Sequence, residues 1–467
     1  MKKSGWPALC LGLLLLAGCA VRQQPPPGDR ADFDAFLAQC VQARQAEPEW
    51  TEEELAQYRA WTPDFQDRLD RLTAGEIDAL LTPRERRETT GAEAAEDVRT
   101  YFALLSTAYG GYDYFGGDEV FLPLRDQLVA EVADREQITG ITLGELLSDA
   151  LAPVVTDGHV QILGKPLDAG QARRMYYVPD LWLDDVAGLD PAWVKSTIGP
   201  DGALTHCFAA LAADGSELPD RATVNGEDLR LNWKEAAESD VDRTAYRLDR
   251  VDGVPVLTCR ILQAGDKTRR DLERLASSGG KVSDAPVLVV DLRGNGGGSE
   301  NYASAWFRGY TGVPPQEKRL WAQRCSPAFL ACCESDSQYE GDLGPFRERL
   351  GNWYGIAPRD MVQVDGNGIC FVLADRGTAS AGEDFIQYFR TMDQAVIVGS
   401  NTYGAMLCGN VCVFYLPHSG VPIQFGTGLS FTDSLENRDR VGIQPDLWVP
   451  PEDALDAVLR LRSYYGL

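Results

Sequence analysis

Val287-Leu-Val-Val-Asp-Leu-Arg-Gly-Asn-Gly-Gly-Gly298 is an apolar run of strand length that breaks into a glycine loop. Further along, Gly377-Thr-Ala-Ser-Ala-Gly-Glu383 sets Ser380 at the start of a predicted helix. Together the two segments supply what acyl transfer needs, a nucleophile and backbone N–H groups free to hold an oxyanion. Taken singly, each has a plainer explanation. A strand ending in glycines can be a turn, because glycine adopts positive φ cheaply, and a helix-start serine can be an N-cap. The order of the two, followed by Gly399-Ser-Asn-Thr-Tyr-Gly404 and Gly442-Ile-Gln-Pro-Asp446, tips the balance toward a site.

Around these motifs, residues 251–467 alternate strand-like and helix-like runs, the α/β pattern. Ile369–Ala374, Ala381–Met392 and Ala395–Val398 read as strand, helix and strand. On the helix, Ala381, Phe385, Phe389 and Met392 make one apolar stripe, with Glu383, Asp384 and Gln387 expected to face elsewhere. Val411–Leu416 and Pro422–Phe425 are a predicted hairpin around His418-Ser-Gly420. Residues 32–165 are mostly helical in pattern, and 166–250 read as a small β-rich insertion.

The chain has 467 residues, long for one domain, and a formal net charge of −26. That acidic balance argues against nucleic acid and against a basic face on anionic lipid. At the start, Lys2 and Lys3 precede an apolar stretch from Pro7 to Ala17 that is too short to span a bilayer. Residues 1–18 are expected to be a signal peptide and 19–31 a proline-rich tether. Nine cysteines lie beyond Cys10 and Cys19. They lack the paired spacing or partner histidines of a zinc site, so no metal is expected, whereas export would permit local disulfides. The glycine loop lacks the lysine and spacing of a P-loop and the third glycine of a dinucleotide fingerprint.

The series Asp291–Gly298, Thr378–Glu383, Val398–Gly404, Tyr415–Gly420 and Gly442–Asp446 resembles the C-terminal-processing (tail-specific) serine proteases and the related tricorn core. The resemblance spans roughly residues 250–450. It implies an α/β fold with a crotonase/ClpP-like protease core, an N-terminal helical domain (32–165) and the β-rich insertion (166–250), in which no PDZ loop is recognisable. It also implies a serine endopeptidase without cofactor, acting on a peptide or protein. Leu16-Ala-Gly-Cys19 looks like a lipoprotein signal, with Cys19 lipidated and the body held on the extracytoplasmic face of a cell or outer membrane by that anchor alone.

Ser380 would then be the nucleophile, and the Ala381 N–H with that of Gly297, or of Gly298, the oxyanion hole. Many tail-specific proteases carry a lysine base at the place where Thr402-Tyr-Gly-Ala405 has alanine, and no lysine follows Lys318. Three histidines remain. His159, in Val154-Val-Thr-Asp-Gly-His-Val-Gln-Ile162, resembles the base of the tricorn-like branch. In that branch an acid precedes the Gly-Ile-x-Pro-Asp segment, which here gives Asp439, with Glu436 the competitor. An α/β-hydrolase esterase would instead need His418 as base, and a silent binding protein on the same scaffold would have an unactivated serine.

Overall fold

The computed structural model describes residues 28–44, 49–167, 173–213, 215–239, 242–336, 339, 341–355 and 357–467. The expected signal peptide, Cys19 and most of the tether lie outside the described residues.

The strand read from Val287 is the middle of a six-stranded sheet. We label its parts in chain order: helix α1 (Arg30–Arg44), β1 (Arg247–Val251), β2 (Val254–Thr258), α2 (Arg269–Ala276), β3 (Val287–Asp291) and α3 (Glu300–Thr311). Then follow β4 (Ile369–Ala374), α4 (Ala381–Arg390), β5 (Ala395–Gly399), β6 (Leu447–Trp448) and α5 (Ala454–Tyr465). The spatial order is β1-β2-β3-β4-β5-β6. β1 pairs antiparallel with β2, and every later pairing is parallel.

Side chains alternate across the pleat, and both faces are covered. Leu288, Val290, Cys370, Val372 and Ile397 pack with α2, α3 and α4 around Trp306, Phe385 and Phe389. Val287, Val289, Phe371, Leu373 and Val396 pack on α1 and α5 through Phe33, Leu37, Val458 and Leu461. This is why β3 is apolar at every position up to Asp291 rather than alternating. Burying each large side chain of these faces contributes about 1.5–3 kcal/mol.

One expectation is sharpened here and another changes. The polar side of α4 points away from the apolar stripe, but not into water. Glu383 and Gln387 are as buried as Phe385 and Phe389, because the helix is enclosed by the sheet on one side and by the 402–405 loop on the other. The 32–165 region is not a separate body either. α1 belongs to the back of the core sheet, where Arg44 binds Asp446. The helices Glu52–Trp61, Ala74–Leu81, Gly91–Ala108, Gly117–Ala133 and Gly140–Leu151 share one hydrophobic core with strands from 319–324, 411–415, 422–426 and 428–432. Three of them start at a threonine capping box, on Thr51, Thr73 and Thr90. The strand Gln161–Ile162 pairs with Ile423 and Gln424, so a boundary at 165 runs through a sheet.

The β-rich insertion is a four-stranded sheet built from Arg173–Leu183, Val194–Ile198, Leu204–Ala213 and Lys234–Glu235, plus a hairpin at 221–230. No helix occurs between residues 173 and 239 among the described residues. Thr197 anchors it to the core by donating to the Trp448 carbonyl at 2.6 Å. The predicted hairpin forms with Val411–Tyr415 opposite Pro422–Gly426. All nine described cysteines are free thiols.

Candidate active site

Parallel strands deliver their following loops to one edge of the sheet. β3 ends in the glycine loop, β4 in Asp375–Ser380 and β5 in Ser400–Ala405. Asp375 ties the first two together, its Oδ1 accepting from Gly294 N at 2.7 Å and Gly377 N at 3.0 Å. Asn295 is wholly buried. Its Nδ2 donates to the Cys259 carbonyl at 3.0 Å, and its own carbonyl accepts from Ala379 N at 2.9 Å. Asp291 braces the loop through both Arg293 and Arg260. Asp446 fixes β5 by accepting from Ile397 N at 2.6 Å.

Ser380 has φ 54° and ψ −126°. Side-chain-bearing residues avoid that region, at a cost of about 1–3 kcal/mol. The sharp turn presents Oγ at the head of α4, in the manner of a nucleophile elbow. Glu383 holds the strain in place. Its Oε2 accepts from Ser380 N at 3.0 Å and Ala405 N at 2.8 Å, while Oε1 accepts from Gly404 N at 3.0 Å and from the Thr402 hydroxyl. Burial pushes this carboxyl above its ordinary pKa, and those hydrogen bonds pull it back.

His159 arrives from the other side. It lies between the helix Gly140–Leu151 and the strand Gln161–Ile162. The Gln424 amide donates to the His159 carbonyl at 3.2 Å, and His159 N donates to Asp157 Oδ1 at 2.8 Å. The ring then meets the serine, with Nε2 3.0 Å from Ser380 Oγ across 221 residues of sequence. Burial lowers the imidazole below its ordinary pKa of 6.5, while the Asp157 charge and the Cys408 backbone raise it. The histidine loop packs closely on the 404–405 segment. A Cβ on Gly158 would lie 3.1 Å from the Ala405 Cβ and 2.6 Å from the Gly404 carbonyl oxygen, so the histidine loop occupies the space a longer side chain at 405 would need.

The two acids anticipated from sequence are elsewhere in role. Asp439 is buried beneath the histidine loop. Its Oδ2 accepts from Gly158 N at 2.8 Å and its Oδ1 from Met406 N at 2.8 Å and Leu407 N at 3.0 Å. The three N–H groups occupy it, and it forms no hydrogen bond with the imidazole among the described residues. Glu436 is on the surface near Arg438, because its segment turns outward before Asp439. The acid nearest the ring is Asp157, with Oδ1 4.0 Å from Nδ1.

Of the two glycines expected to join Ala381, one is already engaged. The Gly297 N–H donates to Asn295 Oδ1 at 2.9 Å, so it is not free. Gly297 instead supplies space, since a Cβ there would sit 2.8 Å from the Ser380 Cβ. The N–H groups of Gly298 and Ala381 have no acceptor among the described residues, and they are the pair available to a developing oxyanion. His418 makes an ion-pair contact with Glu96 at 3.0 Å and has no contact with Ser380. His206 lies in the insertion sheet, paired with Leu183 and Ser196.

Sequence reasoning missed Asn295, Asp375, Glu383 and Asp157 as parts of the site. Glu383 and Asp157 sit within motifs already singled out, each three or fewer residues from a reactive side chain. That adjacency was the available signal.

No curated protein matches the chain. Among solved structures the chain is similar to mature CPAF, at 12% identity over 80% of this chain and 95% of that one, with a TM-score of 0.41. It is similar to the photosystem II D1 C-terminal processing protease at 17% identity over 80% and 97%, with a TM-score of 0.38. The tricorn protease matches at 14% identity over 80% of this chain and 37% of that chain, with a TM-score of 0.40. The stretch from residue 256 to residue 449, which holds the glycine loop, Ser380 and Asp439, matches the model of peptidase family S41, and that match supports a serine peptidase.

Proposed function

We propose that the protein is a serine endopeptidase that cleaves peptide or protein substrates through an acyl-enzyme on Ser380, with His159 as general base. One observation carries this: an imidazole nitrogen 3.0 Å from the hydroxyl of a serine held at positive φ. Proton transfer from Oγ to Nε2 needs that geometry and a neutral ring, and the lowered pKa of His159 keeps the ring neutral at physiological pH. The Gly298 and Ala381 N–H groups would then receive the oxyanion at the positive end of α4. The substrate class follows from the S41 match. A preference for free C-termini is not part of the proposal.

Full-length protein is expected to react with a serine-directed fluorophosphonate at Ser380 and to cleave a peptide library scored by mass spectrometry. Loss of both reactions in Ser380→Ala, with labelling retained in His159→Ala, would reject the base assignment. An unlabelled wild-type protein would reject the enzyme and favour a binding protein. The ring that meets Ser380 is that of His159, and His418 makes no hydrogen bond to the serine among the described residues, which leaves the esterase alternative without a base.

We further propose that lipidated Cys19 anchors the acidic body on the extracytoplasmic side of a membrane. Cys19→Ser protein should appear in the soluble fraction, and its retention on membranes would overturn the anchor.

A further inference from the structure

One polar atom beside the reacting pair has no partner at hydrogen-bonding distance. His159 Nδ1 is buried, with the Cys408 backbone still acting on the ring, while Nε2 is engaged with Ser380. To take the serine proton, Nε2 must be bare, so in the reactive tautomer the hydrogen is on Nδ1. A buried donor with no acceptor is costly, and a buried imidazolium with no counter-charge more so.

Asp439 is aimed at the backbone N–H groups of Gly158, Met406 and Leu407, and it makes no hydrogen bond or ion-pair contact with the imidazole among the described residues. Asp157 is better placed. Its Oδ1 accepts from His159 N at 2.8 Å, its Oδ2 accepts from the Tyr109 hydroxyl at 3.0 Å, and the Cys408 thiol also bonds the carboxylate, yet Oδ1 is the carboxylate oxygen that comes near Nδ1. The 4.0 Å gap to Nδ1 is about 1 Å beyond hydrogen-bonding reach. Catalytic hydrogen bonds are commonly long before substrate binds.

We propose that Asp157 is the positioning residue that orients His159 and stabilises its charged form, closing onto Nδ1–H as the serine proton reaches Nε2. This rests on the Ser380–His159 pairing above. In the step, Ser380 Oγ bonds to the substrate acyl carbon and its proton moves to Nε2. The imidazolium keeps both protons, Asp157 stays ionised, and the Nε2 proton leaves with the amine when the scissile bond breaks.

The groups facing this pair are Tyr109 at the end of the helix Gly91–Ala108, Cys408 through its thiol and its backbone carbonyl, Asp439, and Glu383 behind it. Of these influences on His159, the Asp157 charge is the largest that raises its pKa, followed by the Cys408 backbone. Removing the Asp157 charge therefore lets burial pull the imidazole lower still, and the acid limb of the pH–rate profile moves down. Asp439 is pushed well above its usual range by burial and by the Asp157 charge, and it is not among the groups that shift His159. Asp439→Asn should leave the acid limb in place.

The test is the rate of fluorophosphonate labelling of Ser380 in the full-length protein as a function of pH. Asp157→Asn is expected to label about 10²–10⁴-fold more slowly, with its acid limb displaced to lower pH. Asp157→Glu, which keeps the charge, should keep the limb and recover part of the rate. A second measurement needs no variant. In the wild-type adduct, a downfield Nδ1–H proton resonance of His159 is expected, and its absence would overturn the assignment. Folded Asp157→Asn with an unmoved limb and wild-type rate would leave the Cys408 carbonyl as the sole orienter and equally overturn it. A limb that moves in Asp439→Asn instead would hand the role to Asp439. Wild-type protein that does not label at all would sink the Ser380–His159 pairing itself, a different result from any of these.

Discussion

The two halves of the candidate active site are built by opposite means. The Ser380 side is made within the parallel sheet, where Asn295, Asp375 and Glu383 stitch three consecutive strand ends into one turn. The His159 side is imported. Its loop belongs to the helical region and is held at the site by a two-residue strand pairing, a Gln424 amide and the Asp439 carboxylate. One half stores strain against a rigid scaffold, and the other depends on docking between distant segments. The difference predicts which perturbations abolish chemistry and which loosen the protein.

The largest effect should come from the reacting pair. Ser380→Ala and His159→Ala are each expected to lower turnover by about four orders of magnitude or more, with melting temperatures close to wild type, as measured by peptide hydrolysis beside thermal denaturation. Wild-type turnover in either would break the comparison outright. Next comes Ala405→Lys. The Ala405 Cβ stands where a Gly158 Cβ would come within 3.1 Å, so the longer side chain should displace the histidine loop and cost about 10²-fold or more in labelling rate. A lysine variant that labels as fast as wild type would mean that the imported loop is more adaptable than its contacts indicate.

Glu383→Gln tests the stitched half. Glu383 accepts from four donors, and an amide in its place turns two N–H groups toward them. A loss of about 2–4 kcal/mol in denaturant unfolding is expected, together with slower labelling. Asn295→Ala should cost less, about 1–3 kcal/mol, by freeing Gly297 N and the Cys259 carbonyl. The smallest effect is in pH. His159 titrates below 6.5 because it is buried, so the acid limb of kcat/KM should fall below that value. The same group destabilises the folded state on acidification: stability is full above its unfolded pKa and declines as pH falls toward the lower folded one. An acid limb above 6.5 would contradict the burial of the ring.

The stitched half was largely legible in sequence. Val287–Val290 is apolar throughout because helices cover both faces, and the glycines after the strand mark where segments approach closely, with Gly297 against the Ser380 Cβ. His159 was legible only through a resemblance, since its spacing from Ser380 carries no physical signal. The acids misled for a reason. Asp439 stands in the segment the motif pointed to, but whether a carboxylate meets an imidazole or a set of backbone N–H groups depends on the path of the loops around it. Glu383 read as the polar side of an amphipathic helix, yet α4 is enclosed on that side by the 402–405 loop, which one helix's periodicity cannot reveal.

By itself the sequence determined the parallel sheet, the helix that starts at Ser380 and the absence of any lysine near it, because strand burial, helix starts and residue identity are local properties. Tertiary structure alone decided that His159 meets Ser380, that Gly297 spends its N–H on Asn295 and that Asp157 is the acid beside the ring. Those outcomes depend on how separate segments pack in space, and pairing at such distances is set by the fold as a whole.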